Sequence, residues 1–122
     1  MNNRALGKTG EDAAAEYLCS KGYSIAERNY RTRQGECDII AYDGEVLVFA
    51  EVKTRCSDRL GLPCEAVTRK KQRNISQVAL VYLQEKGLGE TNVRFDVVEI
   101  RIDGAGSRIR HITSAFEYLP VD

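Results

Sequence analysis

The sequence predicts an α/β domain: a central mixed β-sheet flanked by α-helices, with elements in the order αβββαβ. Three observations predict it. Two stretches carry apolar residues at helical spacing, four are β-branched-rich or alternating, and glycine-containing turns separate them. At 122 residues, with 43% hydrophobic, the chain can bury one core and fits a single domain over 1–122.

The first helix runs from about Arg4 to Ser20. Ala14, Tyr17 and Leu18, with Gly10 one turn earlier, share one face. Lys21-Gly22 ends it, with Gly22 as the residue after the cap. Tyr23 to Tyr30 reads as a strand, with Tyr23 and Ile25 turned inward and Ala26 a further inward candidate. Arg31 to Gly35 is a polar turn. Cys37–Tyr42 and Glu45–Val52 are apolar runs joined by Asp43-Gly44, a strong hairpin signal. Ser57 to Pro63 is loop-like. The second helix starts at Glu65 or Thr68 and ends at Lys86, before Gly87 and Gly89. Its stripe is Ile75, Val78, Ala79, Tyr82 and Leu83. Asn92 to Ile102 alternates: Val93, Phe95 and Val97 face one way, Val98 and Ile100 the other. Ile109–Ile112 is a candidate further strand, and Ala115–Leu119 a short terminal turn or helix.

Eighteen basic residues balance eighteen acidic ones, so net charge says nothing about a partner and only local charge can. No stretch is long and apolar enough to span a bilayer, and Met1–Lys8 lacks an apolar signal core. The expectation is a cytoplasmic protein without a membrane partner. Cys19, Cys37, Cys56 and Cys64 include no close pair of the kind zinc sites use, and the single histidine, His111, is remote. They read as reduced thiols.

The chemistry concentrates on the hairpin. With Asp43-Gly44 as a two-residue loop, Tyr42 faces Glu45, Phe49 faces Asp38 and Glu51 faces Glu36. Alternation then puts Glu36, Asp38 and Ile40 on one face with Leu47, Phe49, Glu51 and Lys53. The other face, with Cys37, Ile39, Ala41, Val46, Val48, Ala50 and Val52, is wholly apolar and must be core. Asp38 and Glu51 become diagonal neighbours, with β-carbons about 7 Å apart. Carboxylates so placed repel, and Glu36 opposite Glu51 adds to the conflict. An ordinary Glu-x-Lys on a strand is a solvated ion pair of little consequence. Here the charges interrupt two apolar strands and gather on one face. A divalent cation between the oxygens would relieve the repulsion, with Lys53 beside it. Mg²⁺ (or Mn²⁺) suits such a site, because it takes one or two carboxylates and completes its shell with water and phosphate oxygens. The residues that would carry catalysis are Asp38, Glu51 and Lys53.

Gly35-Glu36-Cys37-Asp38 followed by Glu51-Val52-Lys53 resembles the D…E-x-K core of the PD-(D/E)xK, restriction-endonuclease-like superfamily. Over about residues 4–100 the match is wider. Gly7-Lys8-Thr9-Gly10-Glu11, Ala14, Tyr17-Leu18, Gly22-Tyr23, Arg28-Asn29-Tyr30, Val48-Phe49, Lys53-Thr54-Arg55 and Arg94-Phe95-Asp96 resemble the YraN-like family of small, largely uncharacterised bacterial proteins. That family is related to archaeal Holliday junction resolvases. The resemblance implies a restriction-endonuclease-like fold and a metal-dependent nuclease that hydrolyses phosphodiester bonds in DNA, branched or processed DNA included. It implies that Asp38, Glu51 and also Glu11 bind metal and that Lys53 is catalytic. On spacing alone, Glu11 lies at the border of the first helix's apolar face.

Lys53 to Arg73 carries seven basic residues against two acidic ones. Arg28, Arg31 and Arg33 form a second cluster before the acidic strand. Local positive potential beside an acidic site is what a phosphodiester polyanion needs. Arg31, Arg33, Arg55, Lys70 and Lys71 are therefore the candidate DNA contacts, though a solvated basic helix start would look the same. Two other readings stay open. One is a non-catalytic nucleic-acid-binding protein with a vestigial nuclease site; the other is a structural protein whose acids pair with nearby arginines. A resolvase-type cut on two symmetric strands would need a homodimer.

Overall fold

Two helices and five strands are present in the computed structural model, which describes residues 3–56, 67–103 and 106–120. They are α1 (Asn3–Ser20), β1 (Ser24–Thr32), β2 (Gly35–Asp43), β3 (Val46–Cys56), α2 (Arg69–Glu85), β4 (Val93–Asp103) and β5 (Gly106–Phe116). The expected loop Ser57–Pro63, a helix start at Glu65, and Cys64 lie outside the described residues, as do the side chains of Arg55 and Cys56.

The strands form one sheet in the order β1-β2-β3-β4-β5. β1, β2 and β3 run antiparallel, β3 and β4 are parallel, and β5 returns antiparallel to β4. A parallel pair needs a crossover connection, and α2 supplies it. Thr68 caps α2: its hydroxyl accepts from the Lys71 backbone N–H at 3.1 Å.

Each face of the sheet buries its own core. Ala14 and Leu18 of α1 pack on Ile39, Ala41, Val48, Ala50, Val98 and Ile100. Ile75, Val78, Ala79 and Tyr82 of α2 pack on Ile40, Leu47, Phe49, Phe95 and Val97. A sheet covered on both sides explains why its central strands read as near-continuous apolar runs.

Four sequence expectations change. The expected αβββαβ order becomes αβββαββ, because the tail forms a full strand. Ala115 and Phe116 belong to that strand's end, and Phe116 stacks on Phe95 with centroids 5.2 Å apart, where a short helix was the alternative. Ala26 is exposed, next to a β1 irregularity between Ile25 and Glu27. The β2–β3 loop is Gly44-Glu45, with Asp43 opposite Val46. Gly44 takes φ +60°, which glycine adopts without strain. The slip relative to the expected register is two residues, which by itself leaves the faces unchanged.

Cys37 is the fourth change. It is buried, but among the α2-side residues with Ile40, not with Ile39 and Ala41. Alternation therefore fails between Cys37 and Ile39, and the residue between them is Asp38. Burial pushes the Cys37 thiol well above its usual range, so it behaves as a small apolar side chain. Cys19 and Cys37 are both free thiols.

Candidate active site

β2 and β3 pair regularly from the turn as far as Ile39 and Ala50, and there the ladder stops. Continuing the register would set Asp38 directly opposite Glu51, closer than the diagonal placement expected from the sequence. The Val52 N–H donates to Asp38 Oδ2 at 2.8 Å, so a side chain takes the place of a backbone acceptor. That bond fixes the Asp38 carboxylate between the strands. Glu51 is nearly buried at 5% exposure. Its Oε1 accepts from Lys71 Nζ at 2.8 Å and lies 4.0 Å from Lys53 Nζ. Glu36, Asp38, Glu51, Lys71 and Asn74 line a cavity of about 260 Å³. A larger cavity of about 410 Å³, walled by Leu83, Phe95, Phe116 and Tyr118 among others, shares no residue with this acidic group.

Electrostatics mark Asp38 as the strained member. Burial, then the charge of Glu51, push its carboxyl up to about 7, against the pull of the Val52 N–H. Glu11 and Glu36 add smaller contributions in the same direction. Lys71 is raised, chiefly by its hydrogen bond to Glu51.

Two glycines bring the helices to this spot. A Cβ on Gly10 would stand 1.9 Å from Thr54 Oγ1, so α1 crosses β3 at a distance only a hydrogen allows. That crossing carries Glu11 to the rim of the site. Gly35 takes φ +151°, and a Cβ there would meet Asn74 Cβ at 3.3 Å, so β2 begins tight under α2. Asn29, which would stand opposite Asp38, has φ +53°. With its amide nitrogen turned to the acids, it donates to both Glu11 and Glu36 at 3.2 Å. Burial first, and Glu36 second, raise the Glu11 carboxyl.

The expected site residues thus fall into groups. Asp38, Glu51 and Lys53 come together, and Lys71 joins them through its side chain. Its backbone N–H is committed to the Thr68 cap. Glu11 stands with Glu36 and Asn29, one step out from the Asp38–Glu51 pair. Arg31 is paired with Glu36 at 3.2 Å. Arg33 and Lys70 are exposed. Arg55 lies two residues beyond Lys53 on β3, and its side chain is outside the described residues. Glu99, buried and in register with Lys53, was missed from the sequence. Its signal was an acid at an odd position of a strand whose odd residues Phe95 and Val97 are core. Asn29 carried no comparable signal.

Among the described residues, no three His, Cys, Asp or Glu side chains stand together so as to hold a metal ion. No helix among these residues is long and apolar enough to cross a membrane.

A mixed sheet with a helix on each face and an acid pair beside Lys53 defines a restriction-endonuclease-like α/β domain. Residues 10–100 match the model of a family described as "Uncharacterised protein family UPF0102". The chain is 53% identical over 115 residues to a UPF0102 protein of Syntrophus aciditrophicus, covering 94% of this chain and 91% of that one. It is 52% identical over 117 residues to one of Geobacter sulfurreducens, covering 95% and 91%. A third, from Dictyoglomus turgidum, is 42% identical over 120 residues, 98% of each chain. The chain therefore belongs to the UPF0102 family, in agreement with the YraN-like motifs of its sequence.

Proposed function

We propose that this protein is a metal-dependent nuclease that hydrolyses phosphodiester bonds in DNA. The observation that carries the reading is the Asp38–Glu51 pair. Two carboxylates line one cavity, with Lys53 Nζ 4.0 Å from Glu51, and burial, then the charge of Glu51, pushes the Asp38 carboxyl up to about 7.

That donor set fits a hard cation. Mg²⁺ or Mn²⁺ commonly uses one or two carboxylates and completes its shell with water and phosphate oxygens, so a pair of acids suffices. Asp38 and Glu51 would hold the metal, with Glu11 adding negative field from the rim. When bound, the metal supplies Lewis-acid polarisation of the phosphoryl group.

The rest of the work belongs to side chains. The Val52 N–H orients Asp38. Lys53, 22% exposed and 4.0 Å from Glu51, can hydrogen-bond an attacking water or stabilise charge developing on the phosphoryl oxygens. Arg33, Lys70 and Arg55 provide positive potential for the backbone.

The test is cleavage of labelled four-way junctions, flaps, linear duplex and single strands with Mg²⁺ or Mn²⁺. Metal-dependent cutting lost in Asp38→Ala and Lys53→Ala supports the reading. One observation favours a second reading, a nucleic-acid-binding protein with a vestigial site: Lys71 already neutralises Glu51 without metal. Salt-sensitive binding with no cutting of any substrate would favour that one.

A further inference from the structure

On the α2 side of the sheet, the cross-strand rows change character from one end to the other. Phe49 pairs with Phe95, and Glu51 with Val97, which faces Ile112 on β5. Next, Lys53 pairs with Glu99, and Glu99 with Arg110. The row after it sets Arg55 beside Arg101 in register, and Arg101 opposite Arg108. Residues directly opposite on neighbouring strands put their side chains on the same side. β5 obeys this: Ile112 packs with the α2-side core, while His111 lies against Tyr17 and Tyr23 across the sheet. Arg108 and Arg110 therefore share the face that carries Glu51 and Lys53.

Arginines opposed across strands destabilise a sheet. Arg101 reaches Glu99 at 3.5 Å. Arg108 and Arg110 are exposed, and the Arg101 side chain is 41% exposed. The Arg101–Arg108 row lies two residues past the Lys53–Glu99–Arg110 row, about 7 Å along the strands.

We propose that Arg101, Arg108 and Arg110 form a track for the DNA phosphodiester backbone leading to Lys53. This rests on the nuclease reading of the site and names the face by which its substrate enters. Phosphates neutralise the opposed guanidiniums, and arginine binds phosphate oxygens in bidentate fashion. Such contacts position the backbone without reading its sequence.

The test is fluorescence anisotropy with a labelled DNA duplex in EDTA, across a range of salt, using Arg108→Gln/Arg110→Gln. Both positions are exposed on an edge strand, and a thermal melt checks that the double variant is folded. Lys21→Gln, at the far end of α1, is the control. The double variant should bind about tenfold more weakly at low salt, with its salt slope reduced by about 2, while Lys21→Gln matches wild type. Its Mn²⁺-induced rise in melting temperature should be unchanged. If wild type binds DNA and the double variant binds equally well with the same slope, the track is wrong and the nuclease reading stands. If wild type binds no DNA at low salt, both fall together.

Discussion

Asp96 on β4 and Asp38 on β2 each set a carboxylate into the same sheet, with opposite outcomes. Asp96 is fully buried and accepts from Arg94 Nε at 2.8 Å, Arg94 Nη2 at 2.9 Å and the Ser114 N–H at 3.0 Å. His111 Nε2 lies 2.7 Å from its Oδ2. Burial alone would push this carboxyl up, but Arg94, His111 and Ser114 together hold it below its ordinary value. Arg94 also reaches Asp43 and the Tyr23 hydroxyl, so the cluster ties α1's end, the hairpin, β4 and β5 together. Asp38 has one N–H donor and a second carboxylate for a neighbour. A buried acid with all its partners supplied by the chain serves the fold. One left facing a like charge is what the proposed cation would relieve.

The largest effect should come from removing the partnered acid. Asp96→Ala removes one of the two carboxylates that Arg94 pairs with and empties the place where His111 and the Ser114 N–H meet, and should cost about 3–5 kcal/mol in urea unfolding. Asp38→Asn removes a like-charge conflict instead, and should leave stability unchanged or raise it by about 0.2–1 kcal/mol. A loss of several kcal/mol in Asp38→Asn would erase the distinction.

The same contrast has opposite signs in pH. Asp96 titrates lower folded than unfolded, so its stabilisation is present above about pH 4 and disappears as pH falls through the folded value. Asp38 titrates higher, at about 7. Between about pH 4 and that value the folded state holds a proton the unfolded chain has released, so stability declines as pH rises. In EDTA, wild type should show this decline in chemical denaturation, and Asp38→Asn should lack it. Equal slopes in the two proteins would contradict the Asp38 environment described above.

Much of this was legible in the sequence because it is local. Alternation assigned the faces of β3 and of β2 from Ile39 to the turn correctly, since an error of two residues in the hairpin preserves the faces, and it failed at Cys37, where the β2 alternation breaks beside Asp38. The loop itself was misplaced because Asp43 is held as a strand residue by Arg94, 51 positions away. No local turn preference contains that ion pair. The Asp38–Glu51–Lys53 group was readable from one hairpin. Lys71 was noticed as a basic residue, but its contact with Glu51 depends on how α2 crosses the sheet. The Arg101–Arg108 row depends on β5, whose exposed edge carries a weak apolar pattern.

A smaller effect probes Lys71. If its ammonium competes with a cation for Glu51, Lys71→Gln should bind Mn²⁺ roughly 3–10-fold more tightly, equivalent to about 1 kcal/mol. Titration calorimetry on the two proteins checks this, and weaker binding in the variant would make Lys71 a supporting group instead.

The most direct measurement is the melting temperature of wild type and Asp38→Asn with and without millimolar Mn²⁺. A ligand held only by the folded state at about 100 times its Kd adds about 2.7 kcal/mol. The wild-type melting temperature should rise with Mn²⁺, and that of Asp38→Asn should not. An unchanged wild-type value at millimolar metal would contradict the assignment of Asp38 and Glu51 as a cation site.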